Sequence, residues 1–326
     1  MKQTRIDSTP RFSKSRRFAV LAMVLLALAG LSEAILRFAL GLGNPVLNVP
    51  DATCAYILKP DQNVFRFFAH TRTNRYGMRS DEVSSSRSPD TLRVLFVGDS
   101  ITYRTSRVDQ SDLFTERLHK DLPAVLHRPV EVLNASAGAW AIDNELSYIR
   151  SRGIFQSDLV VMVLNDGDVA QPRSTIADVG DDLPSERPAT AIGELYSRYL
   201  RPRIFHNARH IDAGDTVAAD SATIGMNLAD LDAVQTLVTG QGARMVLVFA
   251  PFRGDVPVKS AKPRTILQGW AAAHHVAMFD MTPAELGYSS KEITLDNVHF
   301  NAKGHGVVAQ EIERLWPEVV GNSYAK

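Results

Sequence analysis

The sequence predicts an α/β domain built on a parallel β-sheet with helices on both faces. Five short runs rich in β-branched residues recur along the chain, amphipathic helical patterns lie between them, and each run is apolar nearly throughout. Strands of this kind are typical of sheets that are buried on both faces, and helical crossovers join parallel strands. The predicted strands are 92–97, 130–133, Leu159–Leu164, 245–250 and 276–279.

Two helical stripes support the same fold class. The clearer one consists of Leu228, Leu231, Val234 or Gln235, and Val238, at the three- and four-residue spacing of one helix face. A second stripe near the end of the chain, with Val308, Ile312 and Leu315, predicts a final helix that closes the domain.

Composition excludes several classes of protein. Of the 326 residues, 45% are hydrophobic and 22% are charged, which is ordinary for a globular chain. The 36 basic and 36 acidic residues cancel, and nucleic-acid binding favours a basic excess, so we expect no nucleic acid partner. The single cysteine, Cys54, excludes an intramolecular disulfide and a multi-thiolate metal site. His274 and His275 are adjacent and point about 100° apart on a helix, so we expect neither a metal nor another cofactor.

The N-terminus predicts a membrane anchor or a signal peptide. Residues 1–17 carry six Lys or Arg and one Asp, and the fourteen residues 18–31 carry no charge. Fourteen apolar residues suit the hydrophobic region of a signal peptide, and a small-residue site precedes Gly30. The apolar character nevertheless continues to residue 42, interrupted by Glu33 and Arg37, which are four apart and can pair on one helix face. This continuation favours an anchor.

Both N-terminal interpretations place the rest of the chain across the membrane, because the basic flank stays on the cytoplasmic side. We therefore expect a basic cytoplasmic tail 1–17, a membrane or signal segment 18–42, an N-terminal extension 43–90 and a catalytic domain 91–326 outside the cytoplasm. The anchored form would be a single-pass protein of the inner membrane facing the periplasm. The alternative is secretion after cleavage.

A long insertion interrupts the strand and helix rhythm at 167–218. Loops of this length inside a compact domain are usually functional or disordered. It follows the third predicted strand, so a substrate cover is one interpretation, with Tyr196, Tyr199, Arg201 and Arg203 as candidate substrate-binding residues. Packing and a solvated helix face are the other interpretation.

Four polar motifs follow strands of the predicted sheet or precede its last helix. They are Gly98-Asp99-Ser100, the segment 134–138 ending in Gly138, Asn165-Asp166, and 296–299 with Asp296 and His299. In a parallel sheet all four fall at the carboxyl edge, where open α/β folds bind ligands.

These residue types suit nucleophilic catalysis. The Ser100 hydroxyl needs a base to take its proton, His299 can supply the imidazole, and Asp296 can hold the other imidazole nitrogen. An oxyanion needs fixed donors, which the N–H groups of Ser100 and Gly138 and the amide of Asn165 can provide. His305 is a rival base, but no aspartate precedes it by three residues, so we interpret it as helix packing.

The four motifs resemble the blocks of the SGNH/GDSL hydrolase family over about residues 91–318. The resemblance implies a flavodoxin-like three-layer α/β/α sandwich with a five-stranded parallel sheet. It also implies a Ser100/His299/Asp296 triad and an oxyanion hole from Ser100, Gly138 and Asn165. The segment 73–79 is similar to the lead-in of exported, membrane-anchored bacterial members, some of them linked to acylation of surface polysaccharides.

Three functions are compatible with these motifs. The first is a serine esterase that removes short acyl groups, with O-acetyl as the leading candidate, from a carbohydrate or glycoconjugate of the cell envelope. The second is an O-acyltransferase that passes the acyl group to a polysaccharide hydroxyl. The third is a non-catalytic assembly factor that keeps the fold, although the complete set of motifs argues against it.

Overall fold

The central sheet has five strands, and every neighbouring pair is parallel. The computed structural model describes residues 14–84, 86–103, 106–179, 183–205, 221–252 and 261–321. The strands are β5 Leu92–Gly98, β6 Val130–Ser136, β7 Leu159–Leu164, β8 Arg244–Phe249 and β9 Ala277–Asp280. They lie in the order β6-β5-β7-β8-β9, so β7 is the central strand.

Two buried clusters of apolar side chains cover the two faces of this sheet. One cluster joins alternate strand residues to α3 and α11, and the other joins the remaining strand residues to α4, α7 and α8. The predicted α/β/α sandwich with a five-stranded parallel sheet is therefore confirmed. The helices are α3 Phe114–Leu126, α4 Ile142–Arg152, α7 Ser221–Gly240, α8 Ala261–Ala273 and α11 Ala302–Val319.

The predicted helical stripes lie on the buried faces of their helices. Leu231, Val234 and Val238 of α7 are buried against the sheet, and so are Val308 and Ile312 of α11. Their spacing therefore identified both helices and the faces that they bury.

Strand β6 extends farther than the sequence predicts. The prediction ended it at residue 133, before the polar Asn134, but the strand continues to Ser136. Asn134 is buried inside the strand because its amide donates to Thr102 O at 3.2 Å and to Thr115 Oγ1 at 3.1 Å. A polar residue can occupy a buried strand when its hydrogen bonds are made, which a hydropathy pattern does not reveal.

The N-terminal extension contains two antiparallel hairpins, although its sequence has no clear strand pattern. Each strand has only four residues, and a two-stranded ribbon tolerates Pro50 in its first strand. The hairpins consist of β1 Asn48–Asp51 with β2 Ala55–Leu58, and of β3 Asn63–Arg66 with β4 Ala69–Arg72.

The N-terminal apolar segment forms one helix, α1 Lys14–Phe38, and residues 41–43 shortly after it are buried. The insertion begins after β7 and includes a helical stretch of three parts. Those parts are α5 Ala191–Glu194, a π-helical turn Leu195–Leu200 and α6 Arg201–Phe205. Residues 1–13 of the predicted basic tail and residues 180–182 and 206–218 of the predicted insertion lie outside the described residues. Three short α-helices are α2 Ser100–Tyr103, α9 Thr282–Leu286 and α10 Ser290–Ile293, and two 3₁₀ turns span Gln110–Asp112 and Ile176–Asp178.

Candidate active site

Ser100 is the first residue of α2, two residues after the end of β5. The preceding Asp99 caps this short helix, because its Oδ1 accepts a hydrogen bond from Ile101 N at 2.8 Å. Gly98 leaves no space for a side chain, since a Cβ there would clash with Thr102 Oγ1 and lie 3.1 Å from Val163 O. The turn therefore holds Ser100 at the carboxyl end of the sheet.

His299 comes from a loop between α10 and α11. Leu295 N donates to His299 O at 2.9 Å, and His299 N donates to Asp296 Oδ1 at 2.8 Å, so the segment closes on itself. The compact loop therefore holds the Asp296 and His299 side chains next to each other. It also brings the imidazole back over the edge of the sheet.

The structure brings the three predicted triad residues together. His299 Nε2 lies 2.9 Å from Ser100 Oγ, and His299 Nδ1 lies 2.9 Å from Asp296 Oδ2. The His299 side chain is 23% exposed, so solvent and substrate can reach it. The order hydroxyl, imidazole, carboxylate is the arrangement in which a serine becomes a nucleophile.

The three predicted oxyanion donors follow strand positions that are in register. Gly98 pairs with Ser136 of β6 and with Val163 of β7 in the parallel sheet. Ser100, Gly138 and Asn165 each come two residues after one member of this row. The sheet register therefore places all three at the same level of its carboxyl edge.

Asn165 is buried and held on several sides. Its Nδ2 donates to Asp99 Oδ2 at 3.0 Å, its Oδ1 accepts from Gly167 N at 2.7 Å, and its own N–H donates to Asp168 Oδ2 at 2.7 Å. A side-chain amide has two N–H groups, so the bond to Asp99 leaves a second donor for an oxyanion. These contacts fix the orientation of the amide in advance.

Three buried carboxyl groups lie beneath the candidate site. Burial raises the pKa of Asp99, although hydrogen bonds from Ile101 and Asn165 and the nearby His299 oppose the shift. Burial, reinforced by neighbouring carboxylates, raises the pKa of Glu145 and Asp168 well above the usual range. Asp99 belongs to the Gly98-Asp99-Ser100 motif, but nothing in the sequence indicates that Glu145 lies near it, because α4 carries no catalytic motif.

Gly138 is supported by the N-terminal extension. Tyr56 of β2 donates its hydroxyl to Gly138 O at 2.7 Å, and Trp140 Nε1 donates to Tyr56 O at 3.0 Å. A Cβ at position 138 would lie 3.2 Å from Leu183 Cδ2 of the insertion. Sequence reasoning missed Tyr56, because nothing in a four-residue strand indicates which distant loop it will contact.

The candidate substrate-binding residues of the insertion lie beside the second hairpin. Tyr199 OH accepts a hydrogen bond from Arg66 at 3.0 Å, and its ring meets Phe67 edge to face at 6.1 Å. Tyr196 is 51% exposed. Arg201 and Arg203 are exposed as well. Their proposed contact with substrate stays a prediction.

His305 has the packing role that the sequence predicts. It is buried in the first turns of α11, its Nδ1 accepts a hydrogen bond from Phe114 N at 3.2 Å, and its ring stacks on Phe114. It therefore joins α11 to α3 below the sheet, whereas His299 contacts Ser100.

Comparison with known proteins finds solved structures that are similar at low sequence identity. No protein-family model and no curated protein matches the chain. Among solved structures, a member of the lipolytic protein G-D-S-L family from Veillonella parvula is 13% identical, with a TM-score of 0.44. That match covers 69% of this chain and 98% of the other.

Two further matches are acetylxylan esterases. A catalytic mutant of the enzyme from Geobacillus stearothermophilus is 15% identical, with a TM-score of 0.43, over 74% of this chain and 99% of the other. The acetyl xylan esterase AlAXEase is 17% identical, with a TM-score of 0.44, over 70% of this chain and 100% of the other.

Proposed function

We propose that this chain is a serine esterase of the SGNH/GDSL family, with Ser100 as nucleophile, His299 as general base and Asp296 as the carboxylate that orients His299. The observation that carries the proposal is the continuous set of hydrogen bonds from Ser100 Oγ through the imidazole to Asp296. The in-register placement of Ser100, Gly138 and Asn165 supports the matching oxyanion hole.

The reaction uses the triad twice. Ser100 Oγ attacks the ester carbonyl carbon as its proton passes to His299 Nε2, and the oxyanion forms beside the three donors. Collapse breaks the bond to the alcohol, which leaves with the proton from His299. Water then attacks the acyl-enzyme with the same base, releasing the carboxylic acid and restoring the Ser100 hydroxyl.

The proposed substrate is a short acyl ester, O-acetyl first, on a carbohydrate or glycoconjugate of the cell envelope. The resemblance of the segment 73–79 to exported family members supports this finer assignment. The acyl-enzyme would also serve transfer to a glycan hydroxyl, because the acceptor depends on access of water or sugar to the site.

The test is hydrolysis of p-nitrophenyl acetate by the full chain in detergent, compared with Ser100→Ala. We expect the substitution to lower turnover by about four to six orders of magnitude. Mass spectrometry should find an acetyl adduct on Ser100 in the parent protein. The matched control is Ser86→Ala, an exposed serine outside the sheet, which should retain activity.

Equal activity in Ser100→Ala and the parent, with both folded and no adduct at Ser100, would contradict the esterase proposal. Adding an oligosaccharide acceptor separates the two enzymatic outcomes. Release of free acetate supports hydrolysis, whereas acetyl recovered on the sugar supports transfer.

We further propose that α1 anchors the chain in a membrane, with the catalytic domain on the extracytoplasmic side. The helix has 25 residues and is long and apolar enough to cross a membrane by length and composition. Basic residues crowd its N-terminal flank, which the positive-inside rule assigns to the cytoplasm.

A reporter enzyme fused after Lys326 tests this topology. We expect alkaline phosphatase, which is active only outside the cytoplasm, to be active in the fusion and β-galactosidase to be inactive. The reverse pattern would contradict the topology. The N-terminal mass of the purified chain then distinguishes an anchor from a cleaved signal peptide.

A further inference from the structure

Three parts of the chain meet where α1 ends. Phe67 N, at the tip of the β3–β4 hairpin, donates to Leu40 O at 3.0 Å. Arg66 donates to Gly41 O at 3.0 Å and forms a buried ion pair with Glu194 of the insertion. Gly43 N also donates to Glu194. The end of α1, the hairpin tip and the insertion are therefore packed together around one buried carboxylate.

The helix α1 itself is bonded to the insertion. Glu33 accepts hydrogen bonds from Ala191 N at 2.8 Å and Ile192 N at 2.9 Å, the first two residues of α5. Arg37 pairs with Glu33 at 2.7 Å and donates to Ala189 O at 3.3 Å. These contacts hold the helical stretch 191–205 close to the end of α1.

An apolar row lies exposed along that helical stretch. Four residues spaced four apart have exposed side chains, which is the pattern of an amphipathic surface. They are Ile192, Tyr196, Leu200 and Ile204, with relative exposures of 39%, 51%, 41% and 60%. Phe68 at the adjacent hairpin tip is 74% exposed, and Phe38 at the end of α1 is 79% exposed.

The exposed charges within the stretch 191–205 have one sign. The stretch 191–205 contains one acidic residue, Glu194, which is buried and paired with Arg66. Arg201 and Arg203 are exposed, and Arg107 lies over the Phe67 ring. Exposed apolar and tyrosine side chains flanked by arginine suit the headgroup layer of a bilayer that contains anionic lipid.

We propose that Ile192, Tyr196, Leu200, Ile204 and Phe68 form a membrane-contact surface that rests in the headgroup layer next to the point where α1 leaves the bilayer. The proposal rests on the anchor role of α1, because that helix brings the surface to the membrane. It gives Tyr196, Arg201 and Arg203 lipid contacts in place of the substrate contacts that the sequence suggests.

The surface also fixes how the domain faces the membrane. Tyr103 of α2, three residues after Ser100, is buried in one cluster with Val46, Leu58 and Val64 of the extension. The β3–β4 hairpin therefore packs at the carboxyl edge of the sheet. A domain resting on this hairpin and on 191–205 turns that edge toward the lipid headgroups and its amino edge away from them.

Depth-dependent fluorescence quenching tests the proposal on the full chain. Single cysteines are introduced and labelled in Leu200→Cys, Ile204→Cys, Leu25→Cys within α1, and Gln241→Cys in the exposed turn before β8. Native Cys54 is buried, and burial with the nearby Asp51 raises the pKa of its thiol to about 12, so it should stay unlabelled. The vesicles contain phosphatidylethanolamine, phosphatidylglycerol and spin-labelled phosphatidylcholine.

We expect spin labels near the headgroup to quench the probes at 200 and 204 at least twofold. Labels deep in the acyl chain should quench the probe at 25, and neither should quench the probe at 241. Quenching at 25 without quenching at 200 and 204 would overturn the contact surface while supporting the anchor. No quenching at any position would overturn both.

Another occupant would give a different signal. If a second copy of the chain covers the row, the probes at 200 and 204 report an apolar environment that lipid spin labels do not quench. The fluorescence signal of that apolar environment would also weaken as the protein-to-lipid ratio falls. This result would overturn the membrane-contact surface.

Discussion

The two nitrogens of the His299 imidazole have different partners. Nδ1 faces Asp296 at 2.9 Å and Nε2 faces Ser100 Oγ at 2.9 Å. With the Nδ1 proton held by the carboxylate, the Nε2 lone pair points at the hydroxyl, which is the tautomer that a general base requires. The backbone N–H of His299 donates to the same carboxylate at 2.8 Å and so limits its rotation.

Replacing Asn165 with alanine tests the oxyanion hole at the level of one side chain. We expect Asn165→Ala to lower kcat for ester hydrolysis by about 10²- to 10³-fold, because one preorganised donor is lost. The KM should change little, since the donor acts on charge that develops in the transition state. The matched control is Asn63→Ala, an exposed asparagine at the start of β3, which should leave kcat unchanged.

A loss of threefold or less in Asn165→Ala would remove this residue from the oxyanion hole. A loss accompanied by a lowered unfolding temperature would instead indicate that Asn165 mainly supports its turn through Asp99 and Gly167. Circular dichroism of the same preparation separates these outcomes.

Helix α4 places a carboxyl group in the core. Glu145 lies in the first turn of α4 and is completely buried, and neither carboxyl oxygen has a hydrogen-bond partner in the part of the chain that the structure describes. A buried carboxylate without partners is costly, so the neutral, protonated form is favoured. The raised pKa of Glu145 follows from this burial and from the neighbouring Asp99 and Asp143.

This burial makes the stability of the protein pH-dependent. Between the ordinary glutamate pKa and the raised pKa of the folded state, the folded chain binds a proton that the unfolded chain has lost. The free energy of unfolding therefore falls as the pH rises through this window. Glutamine resembles the protonated acid in shape and stays neutral.

We expect Glu145→Gln to lose less thermal stability than the parent between pH 5 and pH 8. Unfolding followed by circular dichroism at both pH values measures the difference. Glu186→Gln, at an exposed position, is the matched control and should follow the parent. An equal loss in Glu145→Gln and the parent would show that Glu145 is already ionised at pH 5 in the folded chain, so that its pKa is not raised.

The elements that the sequence predicted well are those with a long, local pattern. The strand Leu159–Leu164 has the predicted bounds, because six consecutive apolar residues with polar residues on either side suit a short buried strand. The hairpins of the extension were not predicted, since their strands have four residues each and depend on contacts with distant loops. The bond from Tyr56 to Gly138 spans 82 positions, which no local pattern encodes.

The topology of the sheet explains why the candidate triad can be predicted from the sequence. Ser100 and His299 are 199 residues apart, yet the carboxyl ends of parallel strands share one edge of the sheet. Residue type and the positions of the motifs relative to the predicted strands were therefore sufficient to predict that these two side chains meet. The contacts of Glu33 with Ala191 and Ile192 involve no such rule, because a helix outside the sheet can pack against any part of the surface.

The passage from α1 to the buried chain limits where this protein can act. Phe38 ends the helix and Gly41 is already buried, so hardly any chain remains to act as a tether. An enzyme on a long flexible tether can reach substrates over a range of distances from its anchor. An enzyme joined this closely to its anchor stays at a fixed distance from it. For the anchored esterase proposed above, the working range would then depend on the movement of the acylated polymer. Chains produced or held near the bilayer would be modified, and those farther out would be left untouched.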